Sequence, residues 1–105
     1  MDKIPNNIAE IINKYLLSLK ENNLIISQAY LFGSYAKGTY EEYSDIDIAL
    51  VSAKFCGDRM ADRGMIRKST IRNSPLIEVI PFAESDFTME NPFAKEIMNH
   101  GLRIA

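Results

Sequence analysis

Two stretches decide how this chain reads: Leu31-Phe32-Gly33-Ser34-Tyr35-Ala36-Lys37-Gly38, and Ser44-Asp45-Ile46-Asp47-Ile48-Ala49-Leu50-Val51. In the first, a β-like run from Leu24 to Phe32 stops abruptly at Gly33-Ser34. In the second, an apolar-rich strand opens with a period-two alternation of aspartate and isoleucine. Residues two apart in a strand share a face, with Cα atoms ~7 Å apart. Asp45 and Asp47 therefore project side by side, while Ile46, Ile48 and Leu50 face the opposite way. Burial in a core accounts for the isoleucine face. It leaves the neighbouring carboxylates, which repel each other unless a cation screens them.

Working outward, Ile8, Ile11, Ile12, Tyr15, Leu16 and Leu19 recur at the spacing of an amphipathic helix. Pro5 suits its start, Asn7 with Glu10 offers a capping box, and Asn22-Asn23 breaks the pattern. A loop rich in Gly, Thr, Tyr and Glu is predicted over Tyr35–Ser44, and a polar helix over Asp58–Ser74 despite Gly64. Leu76–Phe82 reads as a third strand ending around Pro81. Asn91-Pro92 and Gly101 bracket a last helix, and Leu102-Arg103-Ile104 suits a short edge strand. This order predicts an α/β (α+β) fold, a small mixed sheet flanked by helices.

The chain has 105 residues, 47% apolar and 25% charged, with 12 basic against 14 acidic side chains and a formal charge of −2. Such a length and composition suit one soluble domain over residues 1–105. The charge balance argues against direct nucleic-acid binding, which draws on a net basic surface. The longest apolar runs, Ala29–Phe32 and Ile48–Val51, are too short for a transmembrane helix or a signal-peptide core. A single cysteine, Cys56, closes no internal disulfide, and one histidine leaves no Cys/His cluster for zinc. The expected compartment is therefore reducing and cytoplasmic, and any metal has to sit on oxygen ligands.

Hard divalent cations, magnesium above all, take such ligands. The bland alternative is that Asp45 and Asp47 sit solvated at an exposed strand start. Gly33-Ser34 adds a second feature, since glycine lets the backbone approach a ligand closely and a turn of this kind presents N–H groups to phosphate. Taken alone, a Gly-Ser turn is simply a turn. Glu78 is the one charged residue in Leu76–Phe82, and it falls on the face of Asp45 and Asp47 if Ile77 and Val79 share the core with Ile48. It also reads as an edge-strand glutamate that blunts aggregation.

Together, residues 31–38 and Ser44-Asp45-Ile46-Asp47 resemble the signature of the polymerase-β-like nucleotidyltransferases. With little beyond a catalytic palm in view, the chain resembles the minimal nucleotidyltransferases, which are often antitoxins. The resemblance implies that Gly33 and Ser34 hold a nucleotide triphosphate, with Lys37 standing where arginine is usual. Lysine keeps the charge but loses the planar fork. It implies further that Asp45 and Asp47 bind Mg2+ and that Glu78, where aspartate is common, completes the set as ligand or general base. The implied reaction transfers AMP from ATP to a hydroxyl, by the same resemblance that of a tyrosine on a helical ribonuclease toxin of the HEPN type. Two alternatives stay open: a non-catalytic antitoxin that acts by occlusion, and a small-molecule adenylyltransferase. A homo-oligomer is also open.

Other side chains have modest expectations. Arg59, Arg63 and Arg67 form a basic stripe on the predicted helix, either a solvated face or a contact for phosphate or an acidic partner. From Asp58 to Arg72 there are five basic and two acidic residues. Tyr35, Tyr40 and Tyr43 are expected to pack the loop or to stack on a base. Met60, Met65, Met89 and Met98 read as core filler, and His100 as a helix-end residue.

Overall fold

The computed structural model describes residues 4–105. Four helices, α1 (Asn6–Glu21), α2 (Ser34–Lys37), α3 (Arg59–Asn73) and α4 (Pro92–His100), alternate with strands β1 (Gln28–Phe32), β2 (Ile46–Ser52), β3 (Ile77–Ala83) and β4 (Leu102–Arg103). The sheet order is β3-β2-β1-β4. β1 runs antiparallel to β2 and β4, while β2 and β3 are parallel, joined through α3. This is the mixed sheet with flanking helices that the sequence implies.

β2 is buried on both faces for most of its length, so it reads as a nearly continuous apolar run. Ile46, Ile48 and Leu50 join Ala29, Leu31, Ile77 and Val79 against α1 and α3, through Ile12, Tyr15, Leu19 and Ile66. Ala49 and Val51 face the other way and pack with Phe82, Phe87 and the α4 residues Ala94 and Ile97. Gly101 lets the end of α4 close onto β1: a Cβ there would lie 2.6 Å from the Ile97 carbonyl oxygen and 2.9 Å from that of Leu31. No helix among the described residues is long and apolar enough to cross a membrane.

Helix α3 has a weak apolar face, and polar contacts supplement it. Asp58 caps its start, accepting from the Met60 and Ala61 N–H groups. Asn22 Nδ2 donates to Ser69 Oγ at 3.0 Å, Asn73 Nδ2 donates to Ser18 Oγ at 3.0 Å, and Tyr15 shares a 2.8 Å hydrogen bond with Thr70. These bonds zip α1 to α3.

Several local expectations are corrected. Pro5, not Asn7, occupies the N-cap of α1, and its carbonyl accepts from Ile8 and Ala9 N–H, so Asn7 and Glu10 form no capping box. Leu24 belongs to the end of α1 rather than to a strand. Its N–H donates to the Leu19 carbonyl and that of Asn23 to Lys20, with Asn23 at φ 64°, a Schellman closure that buries Leu24 against Leu19. Tyr35 lies in the single helical turn α2 instead of a loop. β3 runs through Pro81 to Ala83, which an edge strand permits because its outward side needs no N–H donor. Met60, Met65 and Met89 are 86%, 55% and 51% exposed, not core filler, and only Met98 packs against the α4 cluster. Tyr35 is buried and the exposed Tyr40 stacks on it at 4.7 Å, whereas Tyr43 is 78% exposed.

Burial pushes the Tyr15 hydroxyl up to about 12 from 10.0. A raised acid contributes stability that is intact below pH 10 and lost as pH rises toward 12. Tyr15→Phe should cost ~1 kcal/mol at neutral pH through its lost hydrogen bond. Beyond pH 12 the parent should have lost on the order of 3 kcal/mol more than the variant, the loss growing from pH 10 upward. Urea denaturation on either side of pH 10 measures both.

Candidate functional site

The site grows from strand register. Phe32 pairs with Asp47 across β1 and β2, and Asp47 pairs with Glu78 across β2 and β3. The turn after β1 is thereby brought beside Asp47. Parallel partners share a face, so Glu78 lies on the side of Asp47, as the sequence pattern implies. Asp45 precedes β2 by one residue and is exposed, whereas Asp47 is half-buried.

Gly33 fits this place for two reasons. Its backbone sits at φ 74°, ψ −150°, a region open essentially to glycine alone. A Cβ there would also lie 2.2 Å from Asp47 Oδ2. The carboxylate fills the space that a side chain would take. Ser34 opens α2, and Lys37 closes it with its N–H donating to the Gly33 carbonyl at 3.1 Å. Lys37 and Gly33 line a cavity of about 210 Å3 with Phe32, Phe93 and His100. His100 is the last residue of α4, as expected, 3.9 Å from Glu96.

Asp47 titrates above the ordinary carboxylate range: burial is the main cause, followed by the charges of Asp45 and then Glu78. Glu78 turns toward Arg63, with 3.6 Å between Oε1 and Nη2. Arg63 also donates through Nε to the Val79 carbonyl at 3.2 Å, bracing the edge strand. The sequence stripe contained Arg63 without assigning it this partner; its four-residue spacing from Arg59 was the available signal. Among the described residues no three His, Cys, Asp or Glu side chains close into a metal-binding group. Asp45 and Asp47 supply hard oxygen donors whose mutual repulsion a divalent cation would relieve. The donor pair fits such an ion, and Glu78, on the same face, is paired with Arg63.

The nucleotidyltransferase domain model matches residues 12–103. The chain belongs to the nucleotidyltransferase domain family. Within it, 46 residues, 44% of this chain and 52% of the relative, are 50% identical to MJ1215 of Methanocaldococcus jannaschii, provisionally named a protein adenylyltransferase. Another 46% identity, over 41 residues, 39% of this chain and 30% of the relative, links it to the protein adenylyltransferase MntA of Shewanella oneidensis. The matched stretches thus span about half or less of these curated relatives. A toxin–antitoxin crystal structure with AMP-PNP superposes at a TM-score of 0.63 and 25% identity, covering 87% of this chain and 69% of that one.

Two substitutions probe the site. Gly33→Ala should destabilise the fold by roughly 1–3 kcal/mol through backbone strain alone, with displacement of Asp47 added. Asp47→Asn should do the opposite at neutral pH. A carboxyl with raised affinity for its proton contributes stability that is present below its unfolded value and lost as pH rises through the folded one. The gain from Asp47→Asn should therefore close as pH falls toward 3.8, and thermal melts across that range read it directly.

Proposed function

We propose that this chain is a single nucleotidyltransferase domain that transfers AMP from ATP to a tyrosine hydroxyl of a HEPN-type toxin, as a cytoplasmic antitoxin. The observation that carries the reading is the Asp47 carboxylate seated against the bare Cα of Gly33. That contact sets Asp47, with Asp45 two residues before it, beside the Gly33-Ser34 turn. The family, the two adenylyltransferase relatives and the toxin–antitoxin neighbour support it.

In this reading, the Gly33 backbone and the Ser34 N–H and hydroxyl hold the triphosphate, and the Lys37 ammonium balances its charge. Asp45 and Asp47 would hold Mg2+, with Glu78 as a third ligand or as the base. When bound, the ion screens the phosphates and stabilises the departing oxygen. The acceptor hydroxyl oxygen bonds to the α-phosphorus while the bond from that phosphorus to the bridging oxygen breaks, releasing pyrophosphate. The Glu78 carboxylate, freed from Arg63, takes the hydroxyl proton. Positioning of the acceptor supplies much of the acceleration, up to about 7–11 kcal/mol at best. Without an acceptor in place, the isolated chain is expected to turn over little ATP.

The engagement of Glu78 by Arg63 favours one other reading, an antitoxin that neutralises by occlusion with a site that no longer transfers. One experiment separates the two. Mixed with ATP, Mg2+ and the helical toxin, the chain should leave an AMP adduct visible by intact-mass spectrometry. Asp45→Asn with Asp47→Asn should abolish the adduct, and the magnesium-dependent rise in melting temperature, while the complex still assembles. Equal neutralisation by that variant, with no adduct in either case, would establish occlusion.

A further inference from the structure

We propose that the groove between α3 and the β3 edge docks an acidic, apolar-faced polypeptide segment and delivers it to the carboxylate face. This deepens the reading above, since it names the chemistry by which a protein acceptor would be recognised. The groove has a volume of about 560 Å3, and its walls include Arg59, Met60, Arg67, Ile71 and Val79. Glu78 lines it too, so the groove is continuous with the candidate site.

Charge selects the partner. Helix α3 carries Arg59, Arg63, Arg67, Lys68 and Arg72. Of the two nearby acids only Asp58 is exposed, one charge against five. Asp62 is buried, its carboxylate accepting from the Cys56 and Gly57 N–H groups at 3.0 Å each, and Asp58 is spent on the helix cap. Arg63 pairs with Glu78. Arg59 lies over the Phe82 and Phe93 rings, 5.9 and 5.6 Å from their centroids. Among the described residues Arg67, Lys68 and Arg72 have no acidic partner. A chain of net charge −2 therefore presents one strongly cationic face.

Apolar side chains decide between a polypeptide and a nucleic acid. Met60 and Ile71, 86% and 64% exposed, stand among the arginines. A phosphate backbone has nothing to bury against them, and α3 bears no aromatic side chain on which a base could stack. An amphipathic segment with acidic residues flanking an apolar stripe matches both features. Gly64 supports this. A glycine inside a helix costs stability relative to alanine, yet a Cβ at Gly64 would meet nothing within 4 Å. No contact within the chain requires the gap, which leaves the groove open to a partner at this point.

The test is fluorescence anisotropy with a synthetic acidic peptide of about five helical turns, glutamates flanking a leucine stripe. Controls are an all-glutamate peptide, the same peptide with lysine for glutamate, and a mixed-sequence single-stranded RNA. The acidic amphipathic peptide should bind at least roughly tenfold more tightly than any control. Arg67→Glu with Ile71→Asp should weaken it by a similar factor. Gly64→Gln should weaken it too while raising the melting temperature, which excludes unfolding as the cause. Binding of AMP-PNP, titrated on the same samples, should be unchanged. Its absence in the parent would count against nucleotidyl transfer and leave the groove assignment standing. RNA or all-glutamate binding as tight as the peptide's would overturn the proposal, as would variants that bind like the parent. So would self-association that Gly64→Gln abolishes, which would make a second copy the occupant.

Discussion

The contact on which the site depends is between Asp47 and an atom that is not there. Oδ2 of Asp47 occupies the position that a Cβ of residue 33 would take, so the turn after β1 and the carboxylate of β2 fit together only with glycine. The pairing of Phe32 with Asp47 sets this contact, and the hydrophobic pattern of both strands sets the pairing in turn. Ala29 and Leu31 share a core with Ile48 and Leu50. Slippage by one residue would drive Asp47 into that core and turn the isoleucines onto the face of Ala49 and Val51. The apolar interior therefore fixes where the charge goes.

The opposite face shows why the charges cluster at one end of β2. Beyond Asp47 the strand continues with Ala49 and Val51, both buried beneath α4, Phe82 and Phe87. Carboxylates there would be desolvated without partners. At Asp47 burial is partial, enough to raise its affinity for a proton and to sharpen its repulsion from Asp45 and Glu78. The local environment thus combines partial dehydration with concentrated negative charge, and both favour the protonated Asp47 carboxyl.

The parts of this arrangement that follow from period-two alternation were legible in the sequence. Asp47 and Glu78 on one face, and Ile48 with Val79 on the other, follow from counting along two strands. What depends on three-dimensional closure was not. Leu24 looks like the first residue of a strand, but a left-handed Asn23 folds it back as the plug of a helix end. The methionines Met60, Met65 and Met89 look like core because methionine is apolar, yet hydrophobic character does not say which face of an element meets the sheet. Counting charges failed in an instructive way. The excess of three read from Asp58 to Arg72 becomes four at the surface, because Asp62 is buried on the Cys56 and Gly57 N–H groups.

The pair between Arg63 and Glu78 then decides how these two halves of the molecule relate. The side chains are 45% and 56% exposed, and an ion pair that wet is worth ~0–1 kcal/mol. Such a pair orients Glu78 without trapping it. In the proposed transfer, a small free-energy difference separates a Glu78 turned toward the cationic groove from one turned toward Asp45 and Asp47. A polypeptide that brings its own carboxylates to the α3 arginines competes with Glu78 for Arg63 and makes the second orientation more favourable. In that reading, docking on α3 and assembly of the acidic face meet at one arginine.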